Sequence, residues 1–134
     1  MQEVHEGIIV KNQALSPQVF EMTIEAPRLA QDARPGQFVM VLPSLEKSSH
    51  DPLLRRPFGL SGIYPQQGQI RFTYQLVGKG TKIMSKWQPG SQVDLIGPLG
   101  KGFRLPTDIK EAVIAGGGMG VAPLLPLAQE IVNY

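Results

Sequence analysis

Ile70-Arg71-Phe72-Thr73-Tyr74-Gln75-Leu76 decides how the chain is read. Four apolar side chains alternate with three polar ones, the period of a strand with one face buried and the other wet. Phe20-Glu21-Met22-Thr23-Ile24-Glu25-Ala26 repeats the pattern upstream. Shorter strand candidates lie at residues 7–10, 38–42, 60–64 and 93–96. The 15 glycines and 12 prolines are scattered between these runs, so they punctuate many short elements and form no single linker. Six short strands between Pro/Gly turns predict a mainly β domain over residues 1–105, a six-stranded antiparallel barrel. One internal helix is expected in it, from near Thr81 to just before Pro89-Gly90.

The chain of 134 residues is long enough for a self-supporting core. Its 42% hydrophobic and 18% charged residues exclude a disordered polyelectrolyte. A net charge of +2 is too small to generate the field that nucleic acid binding requires. The absence of cysteine removes disulfides, thiolate metal sites and cysteine nucleophiles together. His5 and His50 are too far apart in sequence for metal-ligand spacing, and His50 reads as a solvated residue of the polar stretch 44–51. Trp87 and Phe38 read as core. No apolar run reaches the roughly 20 residues of a membrane span, and no signal-peptide core begins the chain. The expectation is a cytoplasmic, ligand-binding domain whose partners are neither nucleic acid nor a membrane.

Residues 106–134 change character. Ala112–Ala115 is apolar without alternation, as expected of a strand covered on both faces. It leads through Gly116-Gly117-Gly118-Met119-Gly120 into a helical segment ending near Glu130. Pro123 and Pro126 fit a first helical turn, where backbone N–H groups have no intrahelical partner to lose. Strand, glycine turn and helix form the opening βα unit of an α/β nucleotide-binding domain. One such unit cannot cover its own faces, so a truncated second domain is expected.

Three segments are suited to binding chemistry. In Leu54-Arg55-Arg56-Pro57-Phe58-Gly59, an arginine fork can grip a phosphate through two parallel charge-assisted hydrogen bonds. Pro57 holds Arg56 extended, and Phe58 can offer a flat wall to a ring system. A plain strand with solvent-facing arginines has the same composition. In Val77-Gly78-Lys79-Gly80-Thr81, glycines let a ligand approach the backbone, and Thr81 can cap a helix, meet a phosphate oxygen, or both. An ordinary glycine turn with a cap is the alternative. It is no Walker A loop, because Gly80 follows Gly-Lys where Ser or Thr is required. The Gly116–Gly120 run lacks the G-x-G-x-x-G spacing, yet four glycines in five residues exceed what a chain reversal needs. No catalytic triad or paired carboxylate is evident, so any chemistry is carried by a cofactor.

Taken in order, Pro35-Gly36-Gln37-Phe38-Val39, the Arg56 segment, the Gly80-Thr81 segment, Gly97-Pro98-Leu99-Gly100 and the Gly116–Pro123 turn resemble the ferredoxin–NADP reductase superfamily. Within it the chain is most similar to the electron-transfer subunits of NAD-linked dihydroorotate dehydrogenases. Sulfite-reductase, hydrogenase and NADH–ferredoxin transhydrogenase subunits share these segments, and a barrel that has lost its cofactor is a further alternative. The resemblance implies an FAD-binding barrel followed by an NAD(P)-binding domain, and a flavoprotein subunit passing electrons between an iron–sulfur/FMN partner and NAD(H). It implies Arg56 on the FAD diphosphate, with Pro57, Phe58 and Gly59 along the flavin. Thr73, Tyr74 and Gln75 would form a second contact, Gly80 and Thr81 the phosphate pair, and Gly117 and Gly118 the turn where flavin and nicotinamide meet. The implied partner is an FMN-containing catalytic subunit in a hetero-oligomer. The resemblance implies a [2Fe–2S] cluster held by cysteines C-terminal to the nucleotide-binding domain; this chain has no cysteine. One position departs from the family pattern. Gly59 stands where a Ser or Thr hydroxyl usually meets the flavin near N5, leaving backbone N–H groups or Ser61 to serve there.

Overall fold

Each alternating run finds the ladder that its pattern requires. A computed structural model describes residues 3–44 and 51–134; His50 lies outside the described residues. The strands are β1 (Glu3–Ser16), β2 (Val19–Glu25), β3 (Phe38–Val41), β4 (Arg56–Tyr64), β5 (Gln69–Gln75) and β6 (Gln92–Leu99). All neighbours are antiparallel, and the order β1-β2-β5-β4-β3-β6 closes back on β1. Closure leaves no open sheet edge. In β2 and β5, Met22, Ile24, Ile70 and Phe72 are fully buried, while Thr23, Arg71 and Thr73 lie on the outer face. This is the alternation read from the sequence.

Three elements differ from expectation. β1 runs well beyond residues 7–10, because register shifts after Ile9 and after Ala14 carry the strand past its break in alternation. A second internal helix, α1 (Pro27–Asp32), precedes the expected one; Pro27 opens it, and Leu29 and Ala30 plug the barrel end. The expected helix, α2 (Lys79–Met84), begins two residues before Thr81 and stops well short of Pro89. Trp87 is buried as expected, whereas Phe38 is only half-buried, its ring lying near Gly100.

Residues 112–115 form no strand, and Val113 is 90% exposed. An apolar strand of this kind needs parallel neighbours and covering helices, and among the described residues none pairs with it. The helical part does form, as a 3₁₀ segment over Gly118–Leu124 followed by α3 (Leu125–Val132). Pro126 occupies the first turn of α3, but Pro123 lies inside the 3₁₀ segment. No helix among the described residues is long and apolar enough to cross a membrane.

An aromatic cluster fills one end of the barrel. Phe58 stacks on Phe72 at 4.8 Å between centroids and meets Tyr74 edge-on at 5.9 Å. The Tyr74 hydroxyl donates to Asn12 Oδ1 at 2.8 Å. Burial pushes the Tyr74 phenol up from 10.0 to about 12. A phenol harder to ionise in the folded state supports the fold fully below pH 10.0 and loses that contribution as pH rises through about 12. Stability in denaturant titrations is therefore expected to fall over this alkaline window, and to fall less steeply in Tyr74→Phe.

Candidate functional site

The two adjacent arginines have separate tasks. Arg55 Nη2 reaches Asp94 Oδ1 at 2.7 Å, and its Nη1 donates to the Asp94 carbonyl at 3.3 Å, so it ties β4 to β6. Arg56 turns the other way. Its Nη1 donates to the Leu54 carbonyl, and the guanidinium borders a cleft of about 390 Å³. Because β4 and β5 are antiparallel neighbours, β4 begins at the rim where β5 ends and the chain enters α2. Arg56, Pro57 and Phe58 thus share the cleft with Val77, Gly80 and Thr81, two segments far apart in sequence. A Cβ on Gly80 would stand 3.4 Å from Arg56 Nε and from Pro43, occupying space that the cleft leaves open.

Thr81 acts as a cap. Its hydroxyl accepts from the Val77 and Gly78 N–H groups at 3.0 and 3.3 Å. The first N–H groups of α2 still lack intrahelical acceptors. Phe58, expected to offer a flat wall to a ligand, is 9% exposed and commits its ring to the stack with Phe72. It borders the cleft from the core side.

The remaining expected residues lie along the outer barrel face. Thr73 and Gln75 project from β5 into a second, more open cleft of about 540 Å³, walled opposite by Gly118, Met119 and Val121. Tyr74 alternates inward and is 2% exposed, so its side chain is core and only its backbone can meet a ligand. Gly118 holds φ +58°, a left-handed conformation that glycine adopts without penalty. Gly117 is exposed, in extended backbone beside it. Gly59 has a steric reason to be glycine: a Cβ there would stand 2.9 Å from Pro123 Cγ. Pro123 cannot swing aside as a long side chain would. Gly59→Ser is expected to lift the 3₁₀ segment off β4 and cost about 1–3 kcal/mol in denaturant titrations, with faster proteolysis over residues 116–124.

The sequence reading missed Asn12. Its Nδ2 donates to the carbonyls of Met84, the last residue of the cleft helix, and Trp87, just beyond it, at 2.9 and 3.0 Å. The available signal was a pair of amide side chains, Asn12 and Gln13, in a strand where alternation stops.

No family profile matches the sequence. Among solved structures, an NADH-dependent reduced ferredoxin-NADP oxidoreductase, described for flavin-based electron bifurcation, superposes with a TM-score of 0.82 and 30% identity. The match covers 95% of this chain and 44% of that one. The fold is ferredoxin reductase-like. A ferredoxin reductase in carbazole 1,9a-dioxygenase, at TM-score 0.77 and 20% identity over 98% of this chain and 39% of that one, shares the ferredoxin reductase-like fold. The curated relatives are electron-transfer subunits of dihydroorotate dehydrogenase B (NAD(+)). The subunit from Desulforamulus reducens is 38% identical over 133 residues, 99% of this chain and 50% of the relative. That from Geobacillus kaustophilus is 42% identical over 129 residues, 93% of this chain and 48% of the relative. The chain spans about half the length of these curated relatives.

Proposed function

We propose that the chain is the FAD-holding part of an electron-transfer subunit that moves electrons between NAD(H) and a one-electron partner, as in dihydroorotate oxidation for pyrimidine biosynthesis. The observation that carries this is the convergence of Arg56 with the Gly80-Thr81 turn on one cleft, within a ferredoxin reductase-like barrel. The space that a Gly80 Cβ would fill, together with a guanidinium and free first-turn N–H groups, suits a diphosphate.

Residues 1–105 form the FAD-binding domain in this reading, and 106–134 open the NAD(P)-binding domain. Arg56 and the backbone of Gly80 and Thr81 hold the diphosphate. Pro57, Thr73, Gln75 and the backbone of Phe58, Gly59 and Tyr74 line the path of the flavin over β4 and β5. Gly117 and Gly118 bring side-chain-free backbone against the ring system. FAD, when bound, supplies the exchange between two-electron and one-electron chemistry, and no side chain here has to act as acid or base. The protein's work is to fix the cofactor and exclude water. The partner is an FMN-containing catalytic subunit in the cytoplasm, and a [2Fe–2S] centre draws its cysteines from outside this chain.

Titrating the chain with FAD tests the reading. Saturable binding with a perturbed visible flavin spectrum supports it. A folded protein that leaves the FAD spectrum unchanged at every concentration refutes it.

A further inference from the structure

We propose that Asn12, on a strand that does not line the cleft, is a positioning residue that sets the cleft's affinity for FAD by fixing the direction of α2. This rests on the FAD reading above.

Helix α2 has six residues, about 9 Å of helix at 1.5 Å per residue. So short a helix has no stability of its own, and its position is set by what holds its ends. At the cleft end, the Thr81 bonds to Val77 and Gly78 are local and move with the segment. At the far end, Met84 and Trp87 are buried in the core. Burial holds them in place but is non-directional, so it leaves the helix free to rotate or slide. Hydrogen bonds supply the missing direction. Asn12 Nδ2 spends both of its hydrogens on the Met84 and Trp87 carbonyls, and Asn12 Oδ1 accepts from Tyr74. Tyr74 meets Phe58 at 5.9 Å, and Phe58 lines the cleft opposite Gly80. One amide therefore registers the helix wall of the cleft against its strand wall. Met84 and Gly80 lie four residues apart on this one helix, so a shift at Met84 reaches Gly80, where a Cβ would stand 3.4 Å from Arg56 Nε.

The test uses FAD titration of the full chain together with the emission of Trp87, its one tryptophan. Asn12→Ala is expected to raise the FAD dissociation constant about tenfold and to shift Trp87 emission before any ligand is added. Asn12→Asp is isosteric, keeps an acceptor for Tyr74 and loses both donors; it is expected to behave alike, and it carries the test if Asn12→Ala does not fold. Tyr74→Phe keeps both carbonyl bonds but removes the link to the strand wall, and is expected to raise the dissociation constant by less than Asn12→Ala does. Leu29→Ala, a core deletion within α1, should lower the melting temperature without altering FAD affinity or Trp87 emission. The proposal is overturned if Asn12→Asp binds FAD as the wild type does, or if affinity across the four variants simply follows melting temperature. Failure of the wild-type chain to bind FAD would refute the underlying reading instead, and the proposal with it.

Discussion

Arg56→Ala is expected to raise the FAD dissociation constant about 100-fold while leaving the fold intact, the equivalent of about 3 kcal/mol in charge-assisted hydrogen bonding to a diphosphate. The specificity of this effect comes from the contrast with its neighbour. Arg55 is held by Asp94 on β6, so Arg55→Ala should lower stability with little change in affinity. Arg56 donates from Nη1 to the Leu54 carbonyl, an anchor that aims the guanidinium at the cleft and leaves nitrogens for a ligand. Arg56→Lys keeps the charge and loses the planar fork, so it should recover only part of the affinity. Raising ionic strength should weaken the wild type more than Arg56→Ala, since only the wild type retains the ionic contact. Isothermal titration of the three variants checks this. Were Arg55→Ala to lose FAD and Arg56→Ala to keep it, the diphosphate would have to lie elsewhere.

How far the sequence speaks for itself depends on how local each determinant is. The alternation over residues 70–76 is local and gives β5 directly, including which side chains face the core. The long β1 was only partly visible, because Asn12 and Gln13 interrupt its pattern and the register shifts re-phase it. Closure in the order β1-β2-β5-β4-β3-β6 is a property of six strands together and has no signature in any of them. Arg56, Gly80 and Thr81 were legible because their chemistry is unusual for a strand and a turn, and the fold brings all three to one rim. Tyr74 was read as a contact although its alternation with Thr73 and Gln75 already turned it inward. The Pro123 contact over Gly59 and the Asn12 bonds join residues tens of positions apart, and only coordinates reveal them.

Phe72→Ala is expected to cost about 3–5 kcal/mol, a large part of the roughly 5–15 kcal/mol that holds a domain of this kind together. Phe72 is fully buried and faces Met22 on β2 and Leu60 on β4 across the ladders, so its ring fills the space where three strands meet. Its near-parallel stack with Phe58, at 12° between planes, is lost together with the ring. The loss should appear as a lower denaturant midpoint with an unchanged slope. It should also reach the cleft, because Phe58 would tilt into the cavity and withdraw from the wall it shares with Arg56. Added FAD separates the two kinds of damage, since a ligand that binds only the folded state raises stability in proportion to the logarithm of its concentration over the dissociation constant. In Phe72→Ala, excess FAD should restore part of the midpoint, because the guanidinium and the α2 turn are still present. In Arg56→Ala the unliganded midpoint should stay near that of the wild type and FAD should barely move it. If Phe72→Ala costs less than about 1 kcal/mol, the ring is not the keystone of this barrel end. If FAD rescues Arg56→Ala as well as the wild type, the guanidinium does not hold the diphosphate.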